Sequence, residues 1–221
     1  MIKAAIFDLD GTLVDSNDLH AEAWQETFRH FGKEIPLPAL RAQIGKGGDQ
    51  YLPVFLNERE MRTIGEAVEK FRGEIYQKKY LAQVKPFPCV RELFERLRAS
   101  GKKVALASSG VADELDHYRA LAHIDGLIDA QTTKDDVARS KPAPDIFLAA
   151  LHNLGGVAAD EAIVIGDSPF DIQAARKIGL ATIALLCGGF PEDKLRAMGA
   201  AAIFRDPADL LKNLQRSPLA D

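Results

Sequence analysis

Ile2-Lys3-Ala4-Ala5-Ile6-Phe7-Asp8-Leu9-Asp10-Gly11-Thr12-Leu13-Val14-Asp15-Ser16 is the stretch whose reading decides the fold. The apolar run 4–7 is short, and a glycine turn bounds it, which reads as a buried strand. Asp8 and Asp10 then stand one residue apart just past the strand's end. Open α/β sheets bind ligands at that edge, outside the carboxyl ends of their strands. Two neighbouring anions repel unless a cation or a shared proton offsets the repulsion. The pair therefore points to a metal ion and to different duties for the two acids.

Working outward, apolar runs of strand length recur at 104–107, 162–165, 181–186 and 201–204, with a weaker one at 127–130. Helical patterns lie between them, such as 90–99 ending at Gly101 and 145–154 ending at Gly155, where glycine marks the usual C-terminal stop. Alternating strands and helices predict an α/β fold, a Rossmann-like parallel sheet covered on both faces. Residues 16–85 break the alternation. Leu19, Ala23, Thr27, Phe28 and Phe31 repeat at helical spacing after a start at Asp15 or Ser16. Ile64, Val68, Phe71 and Ile75 form an apolar stripe within the charged segment 58–80. The segment contains no good strand, and Pro86-Phe87-Pro88 closes it. The expected organisation is a catalytic core of 1–15 and 86–221 with an inserted all-helical cap of 16–85.

Composition narrows the function. The chain has 221 residues, 47% hydrophobic and 27% charged, as in an ordinary globular protein. A net charge of −4 gives no reason to expect nucleic acid or an anionic membrane as partner. No run approaches the roughly 20 apolar residues of a membrane span, and residues 1–7 lack the pattern of a signal peptide. Two cysteines, Cys89 and Cys187, do not make a disulfide framework and read as buried small hydrophobes. The expected setting is cytoplasmic.

Four pieces of sequence fall at strand ends or helix starts: Asp8 with Asp10; Ser108-Ser109-Gly110; Lys141 in Ser140-Lys141-Pro142; and Gly166-Asp167-Ser168-Pro169-Phe170-Asp171. Strand-end loops of a parallel sheet converge on one edge, so these residues can share a crevice. Carboxylates, hydroxyls and one lysine are a set for a divalent cation and a phosphoryl group. Hard oxygen ligands without histidine or cysteine clusters favour Mg²⁺ over zinc. A carboxylate nucleophile forming an aspartyl-phosphate divides a hard hydrolysis into two steps.

The four motifs, in this order and over the whole chain, resemble the haloacid dehalogenase superfamily. The helical insertion resembles the small cap of its phosphoglycolate phosphatase-like and β-phosphoglucomutase-like members. The resemblance implies a phosphatase acting on a small phosphorylated metabolite, with Mg²⁺ as cofactor. It makes Asp8 the nucleophile and a metal ligand, and Asp10 the general acid–base with its backbone carbonyl on the metal. Asp167 binds the metal directly, and Asp171 either joins it or serves only to cap a helix. Ser108, Ser109 and Lys141 hold the phosphoryl group, and Thr12 supports the loop beside it. In the cap, His20 and the Gly45-Lys46-Gly47-Gly48 loop are brought to the substrate side, His20 because mutase-like relatives use a histidine nearby to shuttle a proton. The alternatives are a phosphoryl-transferring mutase and a non-catalytic phosphate-binding module. Mutase-like relatives carry an arginine just after the cap loop, where this chain has Asp49-Gln50, and that departure leans towards hydrolysis.

Overall fold

The fold is described from a computed structural model, over residues 1–220. Eight strands are present: β1 (Ala4–Phe7), β2 (Val14–Asp15), β3 (Lys85–Pro86), β4 (Lys103–Ala107), β5 (Ala130–Thr132), β6 (Ala162–Gly166), β7 (Ala181–Leu185) and β8 (Ala202–Phe204). The α-helices are α1 (Asn17–His30), α2 (Leu37–Arg41), α3 (Gly48–Tyr51), α4 (Glu58–Ile75), α5 (Val90–Ala99), α6 (Ala112–Leu121), α7 (Asp145–Asn153), α8 (Pro169–Arg176), α9 (Glu192–Met198) and α10 (Pro207–Lys212). Six strands form one sheet in the order β5-β4-β1-β6-β7-β8, every pair parallel. The chain leaves β1, builds outward through β4 and β5, then returns to β1's other side with β6. The order thus reverses at β1, and the crevice of an open α/β sheet lies at such a reversal.

Side chains alternate across the sheet, as a strand's period of two requires. Ala5 and Phe7 join Leu93, Phe94 and Leu97 of α5 on one face. Ala4 and Ile6 join Ile146 and Phe147 of α7 with Ala174 and Ala175 of α8 on the other. β1 is buried on both faces, which is why its sequence is a continuous apolar run.

Between β2 and β3 the chain is helical, with its own cluster of Trp24, Phe28, Leu40, Tyr51 and Val68. Trp24 and Tyr51 stack with ring centroids 4.5 Å apart. At the edges of this segment β2 and β3 pair as a short antiparallel ribbon, which the sequence pattern does not announce because it is only two residues wide. α4 ends at Ile75, the last residue of the apolar stripe, and passes into a π-helical turn, Tyr76–Tyr80, so the segment 58–80 is helical throughout. The fifth strand also departs from expectation: only Ala130 of 127–130 belongs to it, and it runs on to Thr132. It lies at the sheet's edge, with Gln131 exposed, so no apolar run marks it. Residue 186, expected in the fourth long strand, belongs to a 3-10 turn instead. Both cysteines are free and only half-buried, and Cys187 Sγ donates to the Gly11 carbonyl at 3.2 Å. None of the described helices is long and apolar enough to cross a membrane.

Candidate active site

Asp8 leaves the end of β1 with its side chain buried. Lys141 Nζ lies 2.5 Å from Asp8 Oδ1, 2.9 Å from Asp171 Oδ1 and 3.0 Å from the Ala107 carbonyl. That ammonium is fully buried, so its three oxygen partners are what make its charge tolerable. Burial disfavours the ammonium, yet Asp171 and Asp8 hold its pKa above the usual lysine range. Asp167, from the end of β6, receives Asn17 Nδ2 at 2.8 Å, and the same amide reaches the Gly188 carbonyl at 3.0 Å. Thr12 Oγ1 stands 3.2 Å from Asp167 and 3.4 Å from Asp8. Gly11, with φ +74°, is in the left-handed region, and a Cβ there would stand 2.5 Å from Asp167 Oδ2. Only glycine fits that turn.

Asp171 is at once a cap and a cluster member. Its Oδ2 receives the Ser168 hydroxyl at 2.6 Å and the Ser168 amide at 3.1 Å, a capping box at the start of α8. Its Oδ1 faces Lys141 and makes no well-aligned hydrogen bond.

Asp8, Asp167 and Asp171 each present a carboxylate oxygen within 4.8 Å of the others, all three buried. One lysine against three buried carboxylates leaves an excess of negative charge. Burial, with the charges of Asp171 and Asp10, lifts the Asp8 carboxyl to about 7 against the pull of Lys141. Burial and the charges of Asp171 and Asp8 raise Asp167 well above its ordinary value. Such a set fits a hard divalent cation, which relieves the repulsion and takes oxygen ligands of this kind.

Asp10's carboxylate is turned away from that group. Its Oδ1 receives the Ser16 hydroxyl at 2.6 Å and lies 2.7 Å from His20 Nε2. Ser16 stands at the N-cap of α1 but makes no capping bond; its hydroxyl goes to Asp10 instead. A guanidinium only donates, and Arg72 Nη2 meets His20 Nδ1. His20 therefore accepts at Nδ1 and donates from Nε2 to Asp10. Burial works against the ionised Asp10, but His20 and Ser16 as hydrogen-bond donors and the Arg72 charge hold its pKa below the ordinary value. Oδ1 is occupied, which leaves Oδ2 for exchange of a proton.

Asp8, Asp10, His20, Lys46 and Ser109 line one cavity of about 270 Å³ between the sheet edge and the helical segment. Ser108 is buried, and its hydroxyl accepts from the Gly110 amide at 3.0 Å. Lys46 bonds Gln43 Oε1 at 2.6 Å and sits over the Phe170 ring. The helical segment also reaches the loop bearing Lys141: the Ser140 amide donates to Asp49 Oδ2 at 3.1 Å, and the Gly47 amide to Ser140 Oγ at 3.0 Å.

Asn17, Arg72 and Glu114 are the site residues that sequence reasoning missed. Arg72 alone left a signal, a charge inside the apolar stripe of 64, 68, 71 and 75.

A family model described as haloacid dehalogenase-like hydrolase matches residues 5–185. The chain belongs to that family. It is a hydrolase of the phosphatase kind within the haloacid dehalogenase-like family. It is 28% identical to a phosphorylated carbohydrates phosphatase of Thermotoga maritima, over 97% of this chain and 99% of that protein. It is 30% identical to the fructose-1-phosphate phosphatase YqaB of Escherichia coli, over 79% of this chain and 92% of that protein. Among solved structures, a hydrolase from Pseudomonas syringae superimposes with a TM-score of 0.91 at 31% identity, covering 99% of this chain and all of that one.

Proposed function

We propose that the protein is a Mg²⁺-dependent phosphatase that hydrolyses a small phosphate monoester through an aspartyl-phosphate on Asp8. The observation that carries the reading is Asp8 itself, a buried carboxylate beside Lys141 with Asp10 two residues away on the same cavity. Asp8 attacks phosphorus, the bond to the ester oxygen breaks, and Asp10 gives that oxygen its proton from Oδ2. Water then attacks the phosphorus, Asp10 takes its proton back, and Asp8 leaves as carboxylate with release of phosphate. The arriving phosphoryl charge raises Asp10's affinity for the proton it must carry in the first step. Lys141 screens phosphoryl oxygens, with hydrogen bonds from Ser108 and Ser109. Asp8, Asp167, Asp171 and the Asp10 carbonyl are the residues that would hold Mg²⁺, whose charge would stabilise the phosphoryl oxygens in the transition state. Residues 16–85 act as the cap that shields the site from bulk water. The cytoplasm, rich in small phosphate esters, is the proposed setting.

Hydrolysis is favoured over a mutase reaction by Asp49. Where mutase-like relatives carry an arginine, this chain has carboxylate and amide, and the carboxylate is engaged with Ser140. Phosphate release from a panel of small esters is expected with Mg²⁺ and not with EDTA. Release that is equal in both would sink the metal-dependent reading.

The cluster's charge also predicts a stability effect. The Asp8 carboxyl has a pKa of about 7 in the metal-free folded chain against an ordinary 3.8. Between those values the folded state holds the extra proton, so this group's contribution to stability falls as pH rises. Mg²⁺ needs the ionised form, and its stabilisation grows in the same direction. At about 100-fold excess over its dissociation constant it is worth about 2.7 kcal/mol, a rise in Tm of roughly 5–10 °C for a chain of this size. The increment measured by calorimetry is expected to be larger near pH 8 than near pH 5. No Tm response to Mg²⁺ at either pH would remove the cation from the cluster.

A further inference from the structure

Asp167 is held differently from the other two acids of the cluster. Lys141 pairs with Asp8 and Asp171, whereas Asp167 takes its close donors from Asn17 and Thr12. Asn17 is the first residue of α1 and is 3% exposed. Its Nδ2 lies 2.8 Å from Asp167 Oδ2 and 3.0 Å from the Gly188 carbonyl. Two acceptors flank that one atom, so it is the nitrogen, with its two hydrogens, that faces them. The opposite oxygen, Oδ1, is buried and makes no hydrogen bond. A buried amide left half-satisfied costs stability, so stability alone does not explain an asparagine here. The backbone makes room for the pair: a Cβ on Gly11 would overlap the Asn17 amide, and one on Gly188 the Asp167 carboxylate.

We propose that Asn17 is a positioning residue for the cation, its amide fixing the Asp167 carboxylate so that Mg²⁺ meets a ligand already in place. The inference rests on the metal-dependent reading above and adds a residue outside its acids. Mg²⁺ demands near-octahedral geometry at about 2.0–2.1 Å and tolerates little misplacement of a ligand. Asn17 takes Oδ2 of Asp167, which leaves Oδ1, the oxygen 3.2 Å from the Thr12 hydroxyl, for the cation. A neutral donor suits the position. A lysine there would compete with Mg²⁺ for the cluster's charge, and a carboxylate would add a fourth acid to it. An aliphatic side chain would leave Asp167 without the bond that orients it. Partners of this kind typically contribute about 10- to 100-fold in metal affinity. Asn17 stands on the helical segment and Asp167 at the sheet's edge, so that segment helps to build the cation site as well as covering it.

Isothermal titration calorimetry of Mg²⁺ into the metal-free full chain tests this, on the parent, on Asn17→Ala and on the control Glu69→Gln. Glu69 also joins the helical segment to the core, through Lys134 at 2.8 Å, and its partner is not one of the acids. Asn17→Ala is expected to raise the Kd for Mg²⁺ by about 10- to 100-fold, and Glu69→Gln by less than about 3-fold. In phosphate release the Mg²⁺ concentration giving half-activation is expected to rise with the Kd. At saturating Mg²⁺, kcat is expected to return to within about 3-fold of the parent's. A merely structural Asn17 would lower the metal-free Tm and leave the Kd unchanged, which overturns the proposal. Equal weakening in the two variants overturns it as well, as does a loss of kcat that saturating Mg²⁺ does not restore. If Asn17→Ala does not fold, the parent supplies the measurement. The side-chain amide signals of Asn17 in a ¹⁵N-labelled chain are expected to shift on Mg²⁺ titration with the calorimetric Kd, and signals that stay fixed through saturation sink the idea. A parent that binds no Mg²⁺ defeats the metal-dependent reading and this inference with it. Binding by parent and Asn17→Ala alike defeats the inference alone.

Discussion

Asp8→Asn is expected to abolish Mg²⁺-dependent phosphate release while leaving the protein folded. The proposed reaction begins with Asp8 attacking phosphorus, and a neutral amide cannot form the aspartyl-phosphate. Phosphate-monoester hydrolysis is among the slowest uncatalysed reactions, so loss of the covalent route leaves little to measure. Stability moves the other way. Asn keeps an acceptor oxygen for Lys141, which lies 2.5 Å from the carboxylate, and the substitution removes one of three mutually repelling buried acids. Without metal the variant's Tm is therefore expected to match or exceed that of the parent. Phosphate release and calorimetry on the same preparation test both halves. Turnover within about 10-fold of the parent would end the nucleophile assignment.

Asp10→Asn is expected to lower turnover by about 10²–10⁴-fold, the usual contribution of a positioned acid–base group. Its carboxylate lies outside the group of Asp8, Asp167 and Asp171 and is held instead by Ser16 and His20. Cation binding is therefore expected to persist, read as a Tm increment with Mg²⁺ close to the parent's. The defect should also depend on the leaving group. An ester such as p-nitrophenyl phosphate, whose leaving oxygen needs no proton, is expected to lose less in the first step than an alkyl ester. Equal losses for both esters in the pre-steady-state burst would remove the acid role, and normal turnover would remove the acid–base role altogether.

Much of the core was legible because its strands are buried on both faces. A strand such as β1 has no solvent side and must be written as a continuous apolar run. β5 was misplaced for the converse reason: it is an edge strand with exposed Gln131, and its backbone pairing with β4 needs no apolar sequence. The helical character of 16–85 followed from its apolar stripes, whereas the two-residue ribbon of β2 and β3 is specified by chain closure and not by composition.

The motif residues were legible because each stands where a strand ends or a helix begins, and a parallel sheet brings those points to one edge. The sequence by itself thus determined the sheet, the acids at its edge and the family that the comparisons show. Tertiary packing decided how those acids are held. Asn17 meets Asp167 150 positions away. Arg72 reaches His20 and Glu114 only because α1, α4 and α6 converge. Local periodicity reports which face of an element is apolar, but a polar side chain's partner depends on which other element packs against it. For that reason the contact of Arg72 with Glu114 is absent from any motif and exists only in the folded chain.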